Sequence, residues 1–512
     1  MIQEVRISHF KRFEADEVID LSGDSVLLAG PNNSGKSTVL QALAAWNLAL
    51  QRWLAERGER QSSKRISLTV DEFTAVPVRE MNLLWRNRRT ADAHRTGEGK
   101  QTSKARPIVI AVKGRGVSGE DWVLAIEFLY ANRKLAYARP VDPSNPDGPS
   151  PLIPAEARQI RVVHIPPFSG LETEEPFRDP GMRDRLIGQG RPGEIVRNLL
   201  WDLWRQADEK PWMALVKDIE DLFGYTLLPP IYSATRQAYI VCEYRPRTKG
   251  DAPAPKLDIA SAGSGFHQVL LLLAFFYVQP ATILLLDEPD AHLHFILQRE
   301  VFGRLRAVAS QRRCQLIVAT HAEALLDDTE PTGILSFFKK PHRLQTRRQV
   351  QDLRSALHRL SSTDLLRADH VGAVLYLEDD SDARLLREWA SVLGHPAMRF
   401  FKFPYIIAMG GAGELGEAKR HFSALGIAFP TLHGLCLLDR DRSAGPEAQD
   451  FPSGLRLLRW NRYEIENYLI ARTMRPDEVH PEIIEKLDEI AGMLPPPAAT
   501  EHPIENNDDD AS

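Results

Sequence analysis

A chain of 512 residues is too long for one compact core, and at roughly 150 residues per domain it divides into two to four. Hydrophobic residues at 43% and charged residues at 26% are ordinary globular values, which excludes collagen-like, wholly disordered and coiled-coil classes. The net charge of −5 excludes a histone-like polycation but leaves room for a local basic groove. Cys242, Cys314 and Cys436 lie far apart with no CxxC pair. That excludes a disulfide framework, a zinc ribbon and a zinc hook, and a reducing cytosol is expected. The N-terminus, MIQEVRISHFKRF, lacks the long apolar stretch of a secretory signal. The most apolar run, Val269 to Val278, is too short to span a bilayer. A soluble, cytoplasmic protein is expected.

In chain order, Ile2 to Ile7 alternates weakly and reads as a strand, and Val26 to Ala29 is a short apolar strand entering a glycine-rich loop. From Thr38 to Leu50 apolar residues recur at helical spacing. Residues 51 to 117 carry an excess of Lys and Arg over Asp and Glu. There Arg86, Arg88 and Arg89 beside Trp85 offer phosphate contacts and a stacking ring, or simply a solvated surface. The stretch from 140 to 155 is a turn-rich loop, and Gly193–Phe223 is helical. Ile283–Leu286 and Gln315–Ala319 are uninterrupted apolar strands, the pattern of a parallel sheet covered on both faces. After a polar, basic stretch at 341–370, including Arg343–Arg354, the alternation restarts. Strands are expected at Ala373–Leu377, Tyr405–Ala408 and Gly434–Leu438, with helices at Asp382–Leu393 and Gly413–Ser423. The acidic end of the chain has a disordered composition.

Two constellations carry chemistry. Gly30-Pro31-Asn32-Asn33-Ser34-Gly35-Lys36-Ser37, followed by Thr38, matches G-x-x-x-x-G-K-[ST] between a strand and a helix. Its glycines let backbone N–H groups turn toward phosphates, Lys36 pairs with the β/γ oxygens and Ser37 coordinates Mg²⁺. The apolar run ending in Asp287 and Glu288 supplies a carboxylate for the Mg²⁺ shell and one to polarise the attacking water. Two acids at a strand end are often only a helix cap; beside a P-loop that reading loses ground.

The second constellation lies after residue 371. A strand ends in Glu378, followed by Asp379, Asp380 and Asp382, and some sixty residues later another ends in Asp439-Arg440-Asp441. A glycine turn, Gly410 to Gly413, lies between them. Carboxylates at the ends of neighbouring parallel strands converge on one crevice. Oxygen ligands without Cys or His suit Mg²⁺ or Mn²⁺.

The order of the motifs is specific. Thr320-His321 resembles the switch histidine of ABC-type ATPases, Ser261-Ala262-Gly263-Ser264-Gly265 resembles a degenerate ABC signature loop, and Asp290 to His294 resembles a D-loop. Over residues 1–340 the chain is therefore similar to the SMC/ABC superfamily, with an inserted, partly helical segment at about 51–255. No Q-loop glutamine is identified after the P-loop. The acids of residues 371–480 resemble those of a TOPRIM domain. Glu378 matches its strand-end glutamate and Asp439 and Asp441 its DxD pair; Asp382 matches an additional acid of OLD-like sequences. Asp379 stands where that family has glycine. Arg459 to Leu469 resembles the "IENYL" segment of ATPase-linked defence proteins, which makes Glu466 a candidate second-metal ligand or an ordinary helix-start acid.

The combined resemblance is to OLD-family nucleases, including Gabija-type antiphage proteins. It implies an α/β chain: an ABC/SMC-type P-loop ATPase, a linker or connecting helix at 341–370, a smaller Rossmann-like TOPRIM domain at 371–480, and a disordered tail at 481–512. It also implies ATP with Mg²⁺, Mn²⁺ as an alternative at the TOPRIM acids, and a homodimer in which Ser261, Gly263 and Ser264 reach the partner's nucleotide. Glu288 and His321 would serve ATP hydrolysis; Glu378, Asp439 and Asp441 would serve cleavage of nucleic acid, DNA ahead of RNA. A second defence-system protein is a further expected partner. Two rival expectations are an RNA- or tRNA-cutting toxin held by an ATPase sensor, and a non-cleaving ATP-dependent DNA clamp or repair factor.

Overall fold

The computed structural model describes residues 1–494 apart from 15, 59–60, 63, 96–100, 117–118, 147, 236–237, 248–253, 279–280, 339, 361, 410–414, 430, 441–447, 462–464 and 469–480. It divides into two compact units, Met1–Gln351 and Asp352–Ser512, the division falling within the helix Arg347–Arg359.

The first unit is built on one buried helix. Lys36–Arg57 follows the P-loop and packs against two sheets. Val39, Leu40, Leu43, Trp46, Leu50 and Trp53 are all buried. A helix covered on all sides shows no clean polar stripe, which explains why its sequence pattern is readable only in part. Trp46 stacks on Trp122, and its indole N–H donates to the Leu124 carbonyl at 3.0 Å. On the other side Asn47 acts as a backbone mimic. Its amide donates to the Ile160 carbonyl at 3.1 Å and its oxygen accepts the Val162 N–H at 3.1 Å.

One sheet is parallel, in the order Val162–Ile165, Ile283–Asp287, Gln315–Thr320, Ser25–Ala29 and Ile334–Ser336, with the short antiparallel His342–Arg343 at its edge. Its central strands are buried residue for residue, as uninterrupted apolar runs require. The other sheet is antiparallel, in the order Glu17–Asp20, Ile2–Ser8, Ile108–Arg115, Asp121–Asn132, Leu135–Val141 and Ile66–Thr69. Gln315 ties the two together. Its amide donates to the carbonyls of Ile2, Leu21 and Gly23 at 2.9, 2.8 and 3.0 Å, and its oxygen accepts the Ile2 N–H at 2.9 Å.

The expected insertion at 51–255 is therefore two different things. Much of residues 66–141 completes the antiparallel sheet, with only short 3-10 turns at Met81–Leu84 and Arg86–Arg88, and the longer helices come later, chiefly Pro180–Gly188, Val196–Trp204 and Lys210–Phe223. Trp85 is not a free stacking platform: it is 2% exposed, lies edge-on to Tyr130 and donates to the Arg106 carbonyl at 2.7 Å. Arg89 pairs with Asp92 at 3.0 Å, and Arg343 with Asp20 at 2.7 Å. The apolar run near 270 lies in the buried helix Ser264–Val278. Among the described residues no helix is long and apolar enough to cross a membrane.

The second unit holds a five-stranded sheet ordered Ile406–Ala408, Ala373–Leu377, His433–Leu438, Leu455–Arg459 and Ala448–Asp450. The first four strands are parallel and the last is antiparallel. Part of the stretch expected to link the domains, Ser362–Val371, is a helix packed against this unit's first strand. The stretch expected to be a disordered tail is folded at its start. Pro481–Gly492 is a helix whose Ile483, Leu487 and Ile490 join the core with Leu386, Trp389 and Trp460.

Candidate functional site

The P-loop leaves the strand Ser25–Ala29 and closes on the helix Lys36–Arg57. Gly30 has no room for a side chain: a Cβ there would stand 2.9 Å from the Phe337 Cβ and 3.3 Å from the Phe337 carbonyl carbon. Gly35 adopts φ 108°, the left-handed region that glycine tolerates at little cost. Asn33 is also left-handed at φ 64°. Asn32 and Asn33 are exposed, and Thr38 is half-buried one turn into the helix.

Lys36 is 4% exposed and donates to the Gly30 and Pro31 carbonyls at 2.7 and 2.8 Å. Burial pushes its ammonium down to about 8, opposed by the nearby carboxylates of Glu288, Asp287 and Asp290. Ser34 Oγ is buried with no hydrogen-bond partner among the described residues. A buried cation held by loop carbonyls and an orphaned hydroxyl fit a polyanion that would take over both groups.

Ser37 Oγ donates to Asp287 Oδ1 at 2.9 Å, joining residues 250 positions apart. Burial, ahead of other effects, raises the Asp287 carboxyl to about 6. Glu288 follows in a left-handed conformation (φ 50°), its N–H donating to the Ala319 carbonyl at 2.9 Å. Its carboxylate lies 3.6 Å from His321 Nδ1. That neighbour holds Glu288 below its ordinary value, and Glu288 in turn raises His321. Glu288 is therefore ionised near neutrality, as a group that polarises water must be. Asp290, 5% exposed, accepts the Thr320 hydroxyl at 2.5 Å, and Thr320 Oγ1 accepts the Ala322 N–H at 2.9 Å. Thus the ends of the two central strands are locked together below His321.

Ser261, Gly263 and Ser264 are exposed. The loop is fixed from beneath. Ser261 donates to the Asp258 carbonyl at 2.6 Å, His267 Nε2 pairs with the Ile259 carbonyl at 2.7 Å, and a Cβ at Gly265 would lie 3.3 Å from the His292 carbonyl oxygen.

Sequence reasoning missed the turn after the first strand. The Arg12 guanidinium donates to the Asn33 carbonyl, and Arg12 and Phe13 both lie against Gly35. Lys11, at φ 49°, donates to Gln41 Oε1 at 2.6 Å. Burial lowers its ammonium and the charge of Asp287 opposes this. The basic pair in the N-terminal sequence is a weak signal; the left-handed backbone that turns it onto the P-loop is not written there.

Bound Mg²⁺–ATP would be held by the Gly30–Thr38 loop, Lys36, Ser37 and Asp287, with the metal neutralising charge on the transferring phosphate. Glu288 and His321, paired at 3.6 Å, would then stand at the ends of the strands Ile283–Asp287 and Gln315–Thr320.

In the second unit Glu378 and Asp439 follow the adjacent parallel strands Ala373–Leu377 and His433–Leu438. Glu378 Oε1 accepts the Asp439 N–H at 2.9 Å, and the Asp439 carbonyl accepts Arg459 at 3.1 Å. Asp382 is 7% exposed and accepts the Asp379 N–H at 3.3 Å in a reciprocal cap of the helix Asp380–Val392. Asp441, the Gly410–Gly413 turn and the Glu466 side chain lie outside the described residues. Among the described residues no three His, Cys, Asp or Glu side chains are grouped to hold a metal ion.

Two family models match the chain: "AAA domain" over residues 4–69 and "AAA domain, putative AbiEii toxin, Type IV TA system" over residues 253–327. No curated protein matches the sequence. Among solved structures, similarity extends to an SMC head bound to the C-winged helix domain of ScpA (16% identity, 68% of this chain and 99% of that chain, TM-score 0.40). It also extends to the SMC head domain from Thermotoga maritima (13% identity, 67% and 99%, TM-score 0.36). At such TM-scores these likenesses are too loose to place residues. The two matched segments bracket the P-loop and the Asp287–Glu288 strand end, and the chain carries a P-loop ATPase domain of the AAA type.

Proposed function

We propose that this protein couples ATP hydrolysis in its first unit to metal-dependent cleavage or nicking of nucleic acid, DNA foremost, by a TOPRIM-like second unit, in bacterial antiphage defence. The observation that carries the cutting half is the hydrogen bond from the Asp439 N–H to the Glu378 carboxylate at 2.9 Å, across two adjacent parallel strand ends. Acids at the carboxyl end of a parallel sheet face the crevice where such sheets bind ligands. Glu378, Asp439 and Asp441 would hold Mg²⁺ or Mn²⁺, with Asp382 and Glu466 as supporting acids. The cation would lower the pKa of a bound water and neutralise charge on the phosphodiester. Water then adds to phosphorus, one P–O bond of the backbone breaks, and the leaving oxygen takes up a proton.

The exposed Ser261–Ser264 loop supports a head-to-head homodimer in which each copy completes the other's nucleotide site, with Lys36, Ser37, Asp287, Glu288 and His321 serving in the first copy. A second reading, a non-cleaving ATP-dependent clamp, rests on the ATPase domain alone.

The experiment is a cleavage assay with supercoiled plasmid and labelled total RNA, in Mg²⁺ or Mn²⁺, with and without ATP. Wild type should nick the plasmid, and Asp439→Ala should lose cutting while keeping ATP hydrolysis within about twofold, as expected of separate sites. Cutting that persists in Asp439→Ala would sink the site. Cutting confined to RNA selects the toxin activity, and no cutting with intact ATP turnover selects the clamp.

A further inference from the structure

The strand Val162–Ile165 lies beside the Asp287 strand, with His164 in parallel register with Leu285. Side chains alternate along a strand, so His164, Leu285 and Asp287 share one face of the sheet. Leu285 packs in the same core as the P-loop helix, which identifies that face as the one meeting the helix. A cavity of about 400 Å³ opens there, with Gln41, Asn47, Gln51, His164, Asp184 and Asp287 in its lining. Gln41 is also the acceptor of Lys11, so the polar wall runs from the first turn of the chain to the Ser37–Asp287 pair.

His164 Nε2 is shielded from solvent and has no hydrogen-bond partner among the described residues. Buried side-chain nitrogens are nearly always paired, and a cavity of this size, mostly apolar but with these polar groups in its wall, accommodates ordered water beside them. Burial first, and the Lys11 ammonium second, push the imidazole down to about 4. It is therefore neutral at pH 7 and offers one donor and one acceptor nitrogen. Neither the P-loop nor the Glu288–His321 pair uses it.

We propose that His164 is a positioning residue for nucleotide turnover, ordering the water in the cavity that adjoins Asp287 and thereby the hydrated side of the divalent cation held with ATP. The inference rests on the ATPase reading of the first unit and is independent of the nuclease proposal.

The test uses the full chain and three variants: His164→Ala, His164→Leu and His164→Gln. ATP turnover is measured alongside binding of a fluorescent ATP analogue with and without Mg²⁺, and thermal unfolding. Leucine fills the volume without hydrogen bonding, whereas glutamine restores a donor and an acceptor. His164→Leu and His164→Ala should lower kcat by about tenfold to a hundredfold, the scale of mispositioning. They should lose the gain in affinity that Mg²⁺ confers and keep metal-free binding within about threefold; His164→Gln should recover most of both. Wild-type turnover and a wild-type Mg²⁺ increment in His164→Leu would overturn the inference and leave a packing residue. So would a joint loss of metal-free binding and thermal stability in all three variants. Failure of the wild type itself to bind the analogue strikes the ATPase reading, and the inference falls with it.

Discussion

Lys36 and Glu288 show how single residues divide the work of the nucleotide site. Lys36 is a buried cation whose hydrogen bonds go to its own loop, an arrangement costly enough to lower its pKa to about 8. A polyphosphate would exchange weak carbonyl partners for anionic ones. Lys36→Ala should therefore abolish binding of an ATP analogue. Glu288→Gln removes the charge and keeps the shape at a position with φ 50°. Binding should persist while turnover drops by about a hundredfold or more, the usual loss for a charge acting in the transition state. Size-exclusion chromatography with ATP should also show Glu288→Gln enriched as a dimer. Unchanged turnover in both variants would refute the assignment of the site.

At the scale of elements, two buried polar groups hold the first unit in register. Gln315 bonds four backbone groups, both of Ile2 at the start of the first strand and the carbonyls of Leu21 and Gly23 just after the second. Gln315→Leu strands those groups in a buried joint. The expected loss is about 2–4 kcal/mol, at roughly 1–3 kcal/mol per unsatisfied group with partial relaxation, read by urea unfolding. Glu175 performs the corresponding task for the helix Val196–Trp204, accepting the Arg197 N–H at 2.8 Å and the Asn198 N–H at 2.6 Å. Burial outweighs these donors and raises its carboxyl from 4.5 to about 7. Because the folded pKa lies above the unfolded one, this contribution to stability is complete below about 4.5 and fades as pH rises through about 7. The melting temperature should fall over that interval in wild type, and Glu175→Gln should flatten the slope. An identical slope in the variant would assign the titration to other groups.

For the whole molecule, the sequence carried the parts whose physics is local. The P-loop is legible because its backbone geometry demands Gly30 and Gly35 at fixed places. Ile283–Asp287 and Gln315–Thr320 are legible because a strand buried on both faces is apolar throughout. Of the antiparallel sheet only the strand Ile2–Ser8 was legible. Ile108–Arg115 buries one face fully and the other only in part, yet it opens on the unbroken apolar run Ile108–Val112, and basic residues surround it, so the period-two pattern that marks a strand is blurred. The helix Pro481–Gly492 was hidden by its place next to an acidic tail, although its apolar residues fill the second core. Helical spacing in a short segment says nothing of whether a core awaits it.

What the chain determined by itself is the identity and order of the reactive groups: a phosphate loop, an Asp–Glu strand end, a histidine and a second run of acids. Only the tertiary structure decided which of them meet. Ser37 and Asp287 touch across 250 residues because the P-loop helix packs on the sheet whose strand ends in Asp287, and Glu378 meets Asp439 because their strands are neighbours. His164 gains its cavity from the edge strand on which it sits. Strand order follows from how buried faces pack, a property of the assembled sheet that no local stretch of residues encodes.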